Sequence, residues 1–411
     1  MNRILVIVGL SLIFVLTTLT IIFASIGSNE EDRKQINLPL ANIHKSIPSP
    51  TPVPSPTPVP TPEPTPEPVD PITEQIMEML AEMTLHEKIC QMLIVTVDSI
   101  TGVSGATIAG DLTKAALETY PVGGIIHFAN NISTTGQITR MNETMQEISE
   151  IPLFIAVDEE GGAVARLRQK LSAHSIRAML NYENDGEEIA YENAGILSDA
   201  LNTHGFNTNF APVADVWSNP ANTVIGNRAY STDFETAAEL VASAVRGFTD
   251  NNIICSLKHF PGHGNTHEDS HYSSAYINRT LDELRENEFL PFIAGIDAGA
   301  QMVMTGHLIV PEIDDLPATL SKVILTDILR NELGFEGIII TDSLAMSAIT
   351  KNFDPAFTAI TVINAGVDIL LMPSDIPATI EAITTAIETG EISTERLDES
   401  LIRILRLKLF S

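Results

Sequence analysis

From about Ile72 onward, short continuous runs of Val, Ile and Leu alternate with longer stretches of helical spacing, and this alternation restricts the fold more than any other feature of the chain. Eight runs read as strands: Cys90–Val97, Gly123–Phe128, Leu153–Asp158, Thr208–Ala214, Ile253–His259, Gln301–Gly306, Gly337–Thr341 and Val367–Met372. Runs that are apolar throughout, rather than at every second position, suit strands covered on both faces, as in a parallel sheet. Helical patterns such as Glu235–Asn251 and Leu281–Ala298 lie between them, and an amphipathic stretch, Thr394–Leu409, follows the eighth. Eight β/α units predict the α/β class and a single (β/α)8 barrel of the TIM type over residues 72–411, with no room for a second folded domain.

What precedes the barrel is of a different kind. Within residues 1–28, Ile4 to Ile26 form a nearly continuous apolar run interrupted only by Ser11, Thr17, Thr18, Thr20, Ser25 and glycine. A helix of about 20 such residues spans a bilayer. Arg3 stands before the run, while Glu30, Glu31 and Asp32 follow it, diluted by Arg33 and Lys34. The positive-inside rule then puts the N-terminus in the cytoplasm and the rest outside. A cleaved signal peptide is the rival reading, but the run is long for one and the cleavage site around Ala24 is poor. An uncleaved single-pass membrane anchor is therefore expected, with secretion as the alternative. No cysteine follows the run, which argues against a lipoprotein. Residues 29–71 read as a disordered linker. From Pro48 to Pro68 every second residue is proline. Proline fixes φ and lacks a backbone donor, so this stretch predicts a polyproline II spacer of ~3.1 Å per residue.

The formal charge of −30 excludes nucleic acid as a partner of the folded part, because phosphates would be repelled. Two cysteines, Cys90 and Cys255, give no metal-ligand spacing and no disulfide framework.

In barrels of this kind the chemistry collects at the C-terminal ends of the strands. Strand three ends in Asp158-Glu159-Glu160-Gly161-Gly162, and strand four ends in Asp215. Strand five runs into Lys258-His259-Phe260-Pro261-Gly262-His263-Gly264, strand six ends in His307, and strand seven ends in Asp342. Carboxylates, histidines and a lysine on one rim suit a hydroxyl-rich ligand. His263 and His267 read as loop residues. The histidines near Asp269 match no zinc spacing, so neither metal nor cofactor is expected.

The stretch Lys258-His259-Phe260-Pro261-Gly262-His263-Gly264-Asn265-Thr266-His267-Glu268-Asp269-Ser270-His271 resembles the signature of the β-N-acetylhexosaminidase branch of glycoside hydrolase family 3. Val157–Gly162, Asn209–Val216, Gly226-Asn227-Arg228 and Thr341–Met346 match the same family in the same order, so the resemblance covers roughly residues 75–411. It implies the barrel independently of the strand count. It also implies that Asp342 is the nucleophile and His271 the acid/base, with Asp269 as its partner. Asp158, Arg228, Lys258 and His259 would hold the hydroxyls of the terminal sugar, Arg166 would help shape the site, and Met346 would line the pocket. Ala163 and Ala275 depart from the pattern, where relatives commonly carry arginine and proline; the first bears on a rim contact, the second on loop rigidity.

Chemistry is consistent with these roles. Displacement at an anomeric carbon needs a carboxylate on one face and a proton donor on the other. A histidine serves as donor when a nearby carboxylate favours its charged form. The expected activity is that of a retaining β-N-acetylglucosaminidase acting through a covalent glycosyl-enzyme on terminal β-linked N-acetylglucosamine, with peptidoglycan fragments the natural substrate of a wall-side enzyme. A phosphorylase is the nearest alternative, because a His–Asp dyad lacks the fixed negative charge that repels phosphate. A wall-sugar-binding protein without catalysis is another. A β-glucosidase of the same family fits less well, since those relatives generally carry extra domains.

Overall fold

The computed structural model describes residues 70–266 and 275–410. The apolar run at 4–26, the proline-rich stretch, His267, Asp269 and His271 lie outside the described residues. Among the described residues no helix is long and apolar enough to cross a membrane.

All eight expected strands form, each shorter than its apolar run except the fifth, which keeps its length and shifts by one residue: β1 Leu93–Val95, β2 Gly124–Ile126, β3 Phe154–Val157, β4 Thr208–Asn209, β5 Ile254–Phe260, β6 Met302–Thr305, β7 Ile338–Thr341 and β8 Leu370–Leu371. They pair in parallel in the order β7-β6-β5-β4-β3-β2-β1-β8. The open ends meet through a single parallel bridge, Ile340 with Ile369, so the sheet curls into a nearly closed barrel. The pairing explains the composition: parallel strands wrapped by helices are buried on both faces, and every residue of β1, β2, β3, β6 and β7 is buried.

Two helical expectations change in detail. The stretch 281–298 is not one helix but two, Leu281–Glu286 and Leu290–Asp297, broken at Asn287 (φ −131°, ψ −86°). Pro291 sits in the first turn of the second, where its missing N–H costs nothing. Strand four stops at Asn209 and resumes only as a bridge from Val213 to Lys258, because proline at 212 cannot donate to the ladder.

The helix Thr394–Leu409 forms as expected and runs across the N-terminal ends of the strands. Midway along it, Ser400 and Arg403 reach the buried Asp368 before β8, at 2.6 and 3.1 Å. The same carboxylate accepts from Arg330 and from Ile339 N (2.9 Å), which ties the β7–β8 seam together. Near the helix end, Lys408 Nζ lies 4.9 Å from the centre of the Phe154 ring and donates to Gln91 Oε1 at 2.8 Å. The N-terminal end is thus given to holding the barrel together, which leaves the opposite rim for chemistry.

Candidate active site

The acidic tripeptide after β3 divides its work by alternation, since successive side chains of an extended strand face opposite ways. Asp158 and Glu160 face the cavity at the rim, and Glu159 faces behind it. Glu159 accepts from Leu167 N (2.8 Å) and Arg168 N (3.2 Å), and its Oε1 lies 2.6 Å from His174 Nε2. It thereby fixes the first turn of the helix Arg166–Leu171 and with it the position of Arg166. Gly161 (φ +87°) and Gly162 (φ +61°) make the intervening turn; a Cβ on Gly162 would fall 2.7 Å from Ala178 Cα, so no other residue fits.

Glu160 is the hub of the charged side chains. It receives Arg228 Nε and Nη2 at 2.8 Å each, a bidentate pair, and its Oε1 lies 2.6 Å from Lys258 Nζ. Lys258 also donates to Asp158 Oδ1 at 2.8 Å. Arg228 is carried on the short turn Gly226–Arg228. Asn222 holds that turn by accepting from Val224 N and Ile225 N (2.9 Å each) and joins it to the segment after β5 by donating to His263 O (2.7 Å). Burial alone would raise the Glu160 carboxyl, but Arg228 and Lys258 more than offset this and hold it well below the usual range. Burial alone would likewise lower the Lys258 amine; Asp158 and Glu160 reverse the sign and leave it raised.

His259 is fixed from behind. Its Nδ1 lies 2.6 Å from Asp215 Oδ2, which leaves Nε2 as the nitrogen available to the cavity. Asp215 Oδ1 also accepts from His259 N (3.1 Å) and His263 N (2.6 Å).

Asp342 follows β7 directly. Its N–H donates to Thr305 O of the neighbouring strand β6 (2.9 Å), and its Oδ1 accepts from Ser343 N (2.7 Å). Burial pushes its carboxyl upward, but the nearby His307 and His259, the Ser343 N–H and Lys258 outweigh burial and set it below its ordinary value. A half-buried carboxylate held ionised is the state a nucleophile requires.

Asp158, Arg166, Arg228, Lys258, His259, Asp342 and Met346, all the expected site residues that are described, line one cavity of about 300 Å³ at the C-terminal rim. Phe128, Phe210, Met304 and Met372 supply apolar wall. Arg166 stands 3.9 Å from Asp158 Oδ2 and 5.9 Å from the centre of the Phe128 ring. Asp269 and His271 lie outside the described residues. Two rim residues from the strand ends do not reach the cavity: Asp215 and His307 are each 1% exposed and serve as supports. His263 is in a loop, as its sequence context suggests, but is buried against His259 and Thr266 rather than solvated. Sequence reasoning gave no role to Glu160; the signal was its place two residues from Asp158, on the same face of an extended segment. Among the described residues no three His, Cys, Asp or Glu side chains converge as a metal site requires. A second cavity, of about 330 Å³ beside Met83, Gln91 and Leu117, is lined by none of the expected site residues.

Fold and site together define an α/β barrel whose rim cavity combines an ionised, half-buried carboxylate with a paired set of cations. Residues 84–407 match the glycosyl hydrolase family 3 N terminal domain, and the chain belongs to glycosyl hydrolase family 3. It is 36% identical over 319 residues to beta-hexosaminidase A of Pseudoalteromonas piscicida, covering 70% of this chain and 53% of that protein. It is 33% identical to the beta-hexosaminidase of Stenotrophomonas maltophilia (strain K279a), covering 72% of this chain and 89% of that one. Among solved structures, a glycoside hydrolase family 3 beta-N-acetylglucosaminidase from Paenibacillus sp. str. FPU-7 superposes with a TM-score of 0.74 at 36% identity, covering 79% of this chain and 62% of that chain. The chain thus spans about half of the Pseudoalteromonas protein and under two thirds of the Paenibacillus one.

Proposed function

We propose that the chain is a retaining β-N-acetylglucosaminidase that removes terminal β-linked N-acetylglucosamine from peptidoglycan fragments or related oligosaccharides. The observation that carries this reading is Asp342, half-buried, held ionised and opening on the same cavity as Asp158, Arg228, Lys258 and His259, in a chain similar to beta-hexosaminidases. In this account Asp158, Arg228, Lys258 and His259 grip the hydroxyls of the terminal sugar, and Arg166 and Met346 shape the pocket around it. One carboxylate oxygen of Asp342 is engaged by Ser343 N, and the other attacks the anomeric carbon. As that bond forms, the bond from the anomeric carbon to the leaving oxygen breaks, and its electron pair goes to the oxygen. His271, held protonated by Asp269, gives that oxygen its proton. Water then attacks the anomeric carbon, its proton passes to His271, and Asp342 leaves as the carboxylate.

The N-terminal apolar run and proline-rich stretch support a single-pass anchor with the barrel outside the membrane. Full-length protein is expected in the membrane fraction, with an active fragment released by cleavage in the proline stretch. A mature soluble chain beginning after residue 24 would overturn the anchor.

The activity is tested by mass spectrometry of products from a panel of muropeptides and chitooligosaccharides, with and without phosphate. Free N-acetylglucosamine in both conditions is the expected result. The sugar 1-phosphate as main product would establish the phosphorylase instead, and no turnover would leave a sugar-binding protein.

A further inference from the structure

His307 lies two residues past the end of β6, is buried beneath the rim and does not reach the cavity, so the proposed reaction gives it no task. Its surroundings are nonetheless specific. Its Nε2 lies 2.9 Å from the carbonyl oxygen of Ser343. A carbonyl only accepts, so Nε2 carries a hydrogen and donates it. Its Nδ1 lies 2.9 Å from Thr319 Oγ1, and that hydroxyl is anchored in turn against Gly306 O at 3.0 Å. Thr319 is itself fully buried, so the ring is held from behind as well as in front.

The partner of His307 is the residue that follows the proposed nucleophile. The backbone of Ser343 is gripped on both sides: its C=O, in the peptide to Leu344, by His307, and its N–H, in the peptide from Asp342, by Asp342 Oδ1 at 2.7 Å. The Asp342 backbone is tied separately, through its N–H to Thr305 O at 2.9 Å, and Thr305 is the last residue of β6, two before His307. Asp342 therefore has only its side-chain torsions left to set, and the Ser343 N–H selects them. Rotation of that N–H out of place would release the carboxylate from its single orienting hydrogen bond within the described residues.

We infer that His307 is a positioning residue for Asp342: by donating to the Ser343 carbonyl it fixes the backbone of Ser343, the residue whose N–H aims the carboxylate at the anomeric carbon. The inference rests on the reading of Asp342 as nucleophile. Its particular content is that a donor at the place of Nε2 is what matters, not an imidazole. Glutamine carries an amide donor near that place, and leucine carries none.

The experiment compares wild type with His307→Leu, His307→Gln and Thr319→Val, using a fluorinated N-acetylglucosaminyl analogue that traps the glycosyl-enzyme. The readouts are the rate of label incorporation, its mapped position, and kcat and KM on two aryl β-N-acetylglucosaminides of unlike leaving group. Thermal melts run alongside establish that each variant is folded. Misplacement of a reacting group by about 1 Å costs about 10²-fold. His307→Leu is expected to label about 10²-fold more slowly and to lose kcat by a similar factor in glycosylation of both substrates, with KM within about twofold. His307→Gln is expected to recover to within about tenfold of wild type, and Thr319→Val to fall between the two. Labelling of a folded His307→Leu at the wild-type rate would overturn the inference, as would a folded His307→Gln no better than the leucine variant. If His307→Leu does not fold, the glutamine and Thr319 variants decide: both slowed without a change in KM supports the role, and both at the wild-type rate overturns it. A wild-type label that maps to a carboxylate other than Asp342 is a different failure, of the nucleophile assignment itself.

Discussion

Glu160 receives both the Nε and Nη2 hydrogens of Arg228, at 2.8 Å each, and through this pair the segment after β3 is bound to the turn after β4. Lys258 of β5 joins the same carboxylate at 2.6 Å, so three strands contribute to one buried charge cluster. Removing one member of such a cluster leaves the others uncompensated, at a cost of up to about 3–5 kcal/mol.

Glu160→Gln is therefore expected to lower the melting temperature and to raise KM by about tenfold or more, through loosened Arg228 and Lys258. It has a further signature in pH. The negative charges of Asp158 and Glu160 raise the Lys258 amine despite its burial, so the amine stays protonated to higher pH than usual. Without the Glu160 charge the amine is lowered, and an alkaline limb of kcat/KM that reports Lys258 moves to lower pH. Unchanged KM and an unmoved alkaline limb would contradict the cluster's proposed role.

His271 and Asp269 are distinguished by leaving-group dependence. General acid catalysis contributes roughly 10²–10⁴-fold, so His271→Ala is expected to lose about that much on natural disaccharides. With a dinitrophenyl glycoside, whose leaving group needs little protonation, glycosylation should be nearly unaffected. Deglycosylation then limits turnover, and azide should restore the rate, since it attacks without a base. Asp269→Asn should be a milder version, because it removes the charge that favours the imidazolium. Equal losses across leaving groups in single turnovers would exclude the acid/base role.

Lys408 provides a stability test remote from catalysis. Part of its surface remains exposed, but burial lowers its amine from 10.5 to about 7. Between those values the unfolded chain binds a proton that the folded one does not, so stability rises with pH across this window; below about 7 both states are protonated and the full cost of burying the charge remains. Lys408→Met removes that cost. It is expected to melt roughly 2–4 °C higher than wild type at pH 6.5 for each kcal/mol relieved, with the gap shrinking as pH rises towards 10. Melting curves of the two proteins that stay parallel in pH would contradict this.

The barrel was legible because a parallel strand buried on both faces writes its position as an uninterrupted apolar run. Boundaries were less so: Thr208–Ala214 reads as one strand, yet Pro212 removes a donor and the ladder keeps only Thr208–Asn209. Within the site, Asp158, Arg166, Arg228, Lys258, His259, Asp342 and Met346 come together as their motifs imply. Asp215 and His307 mark a limit of reading by strand end. Both sit where catalytic residues are found, but one turns beneath His259 and the other beneath Ser343, and no pattern in one dimension distinguishes a group that faces the cavity from one that supports it. Glu160 was missed for the converse reason: its partners lie 68 and 98 residues away, and only the closed barrel makes them neighbours.

The central claim is that Asp342 becomes covalently bonded to the sugar. Wild-type protein treated with a fluorinated N-acetylglucosaminyl analogue, then digested and mapped by mass spectrometry, is predicted to carry one sugar on the peptide containing Asp342, with Asp342→Asn unlabelled under the same conditions. A label on Asp158, Glu160 or any other carboxylate, or an unlabelled wild-type protein that releases product of inverted anomeric configuration, would contradict the account.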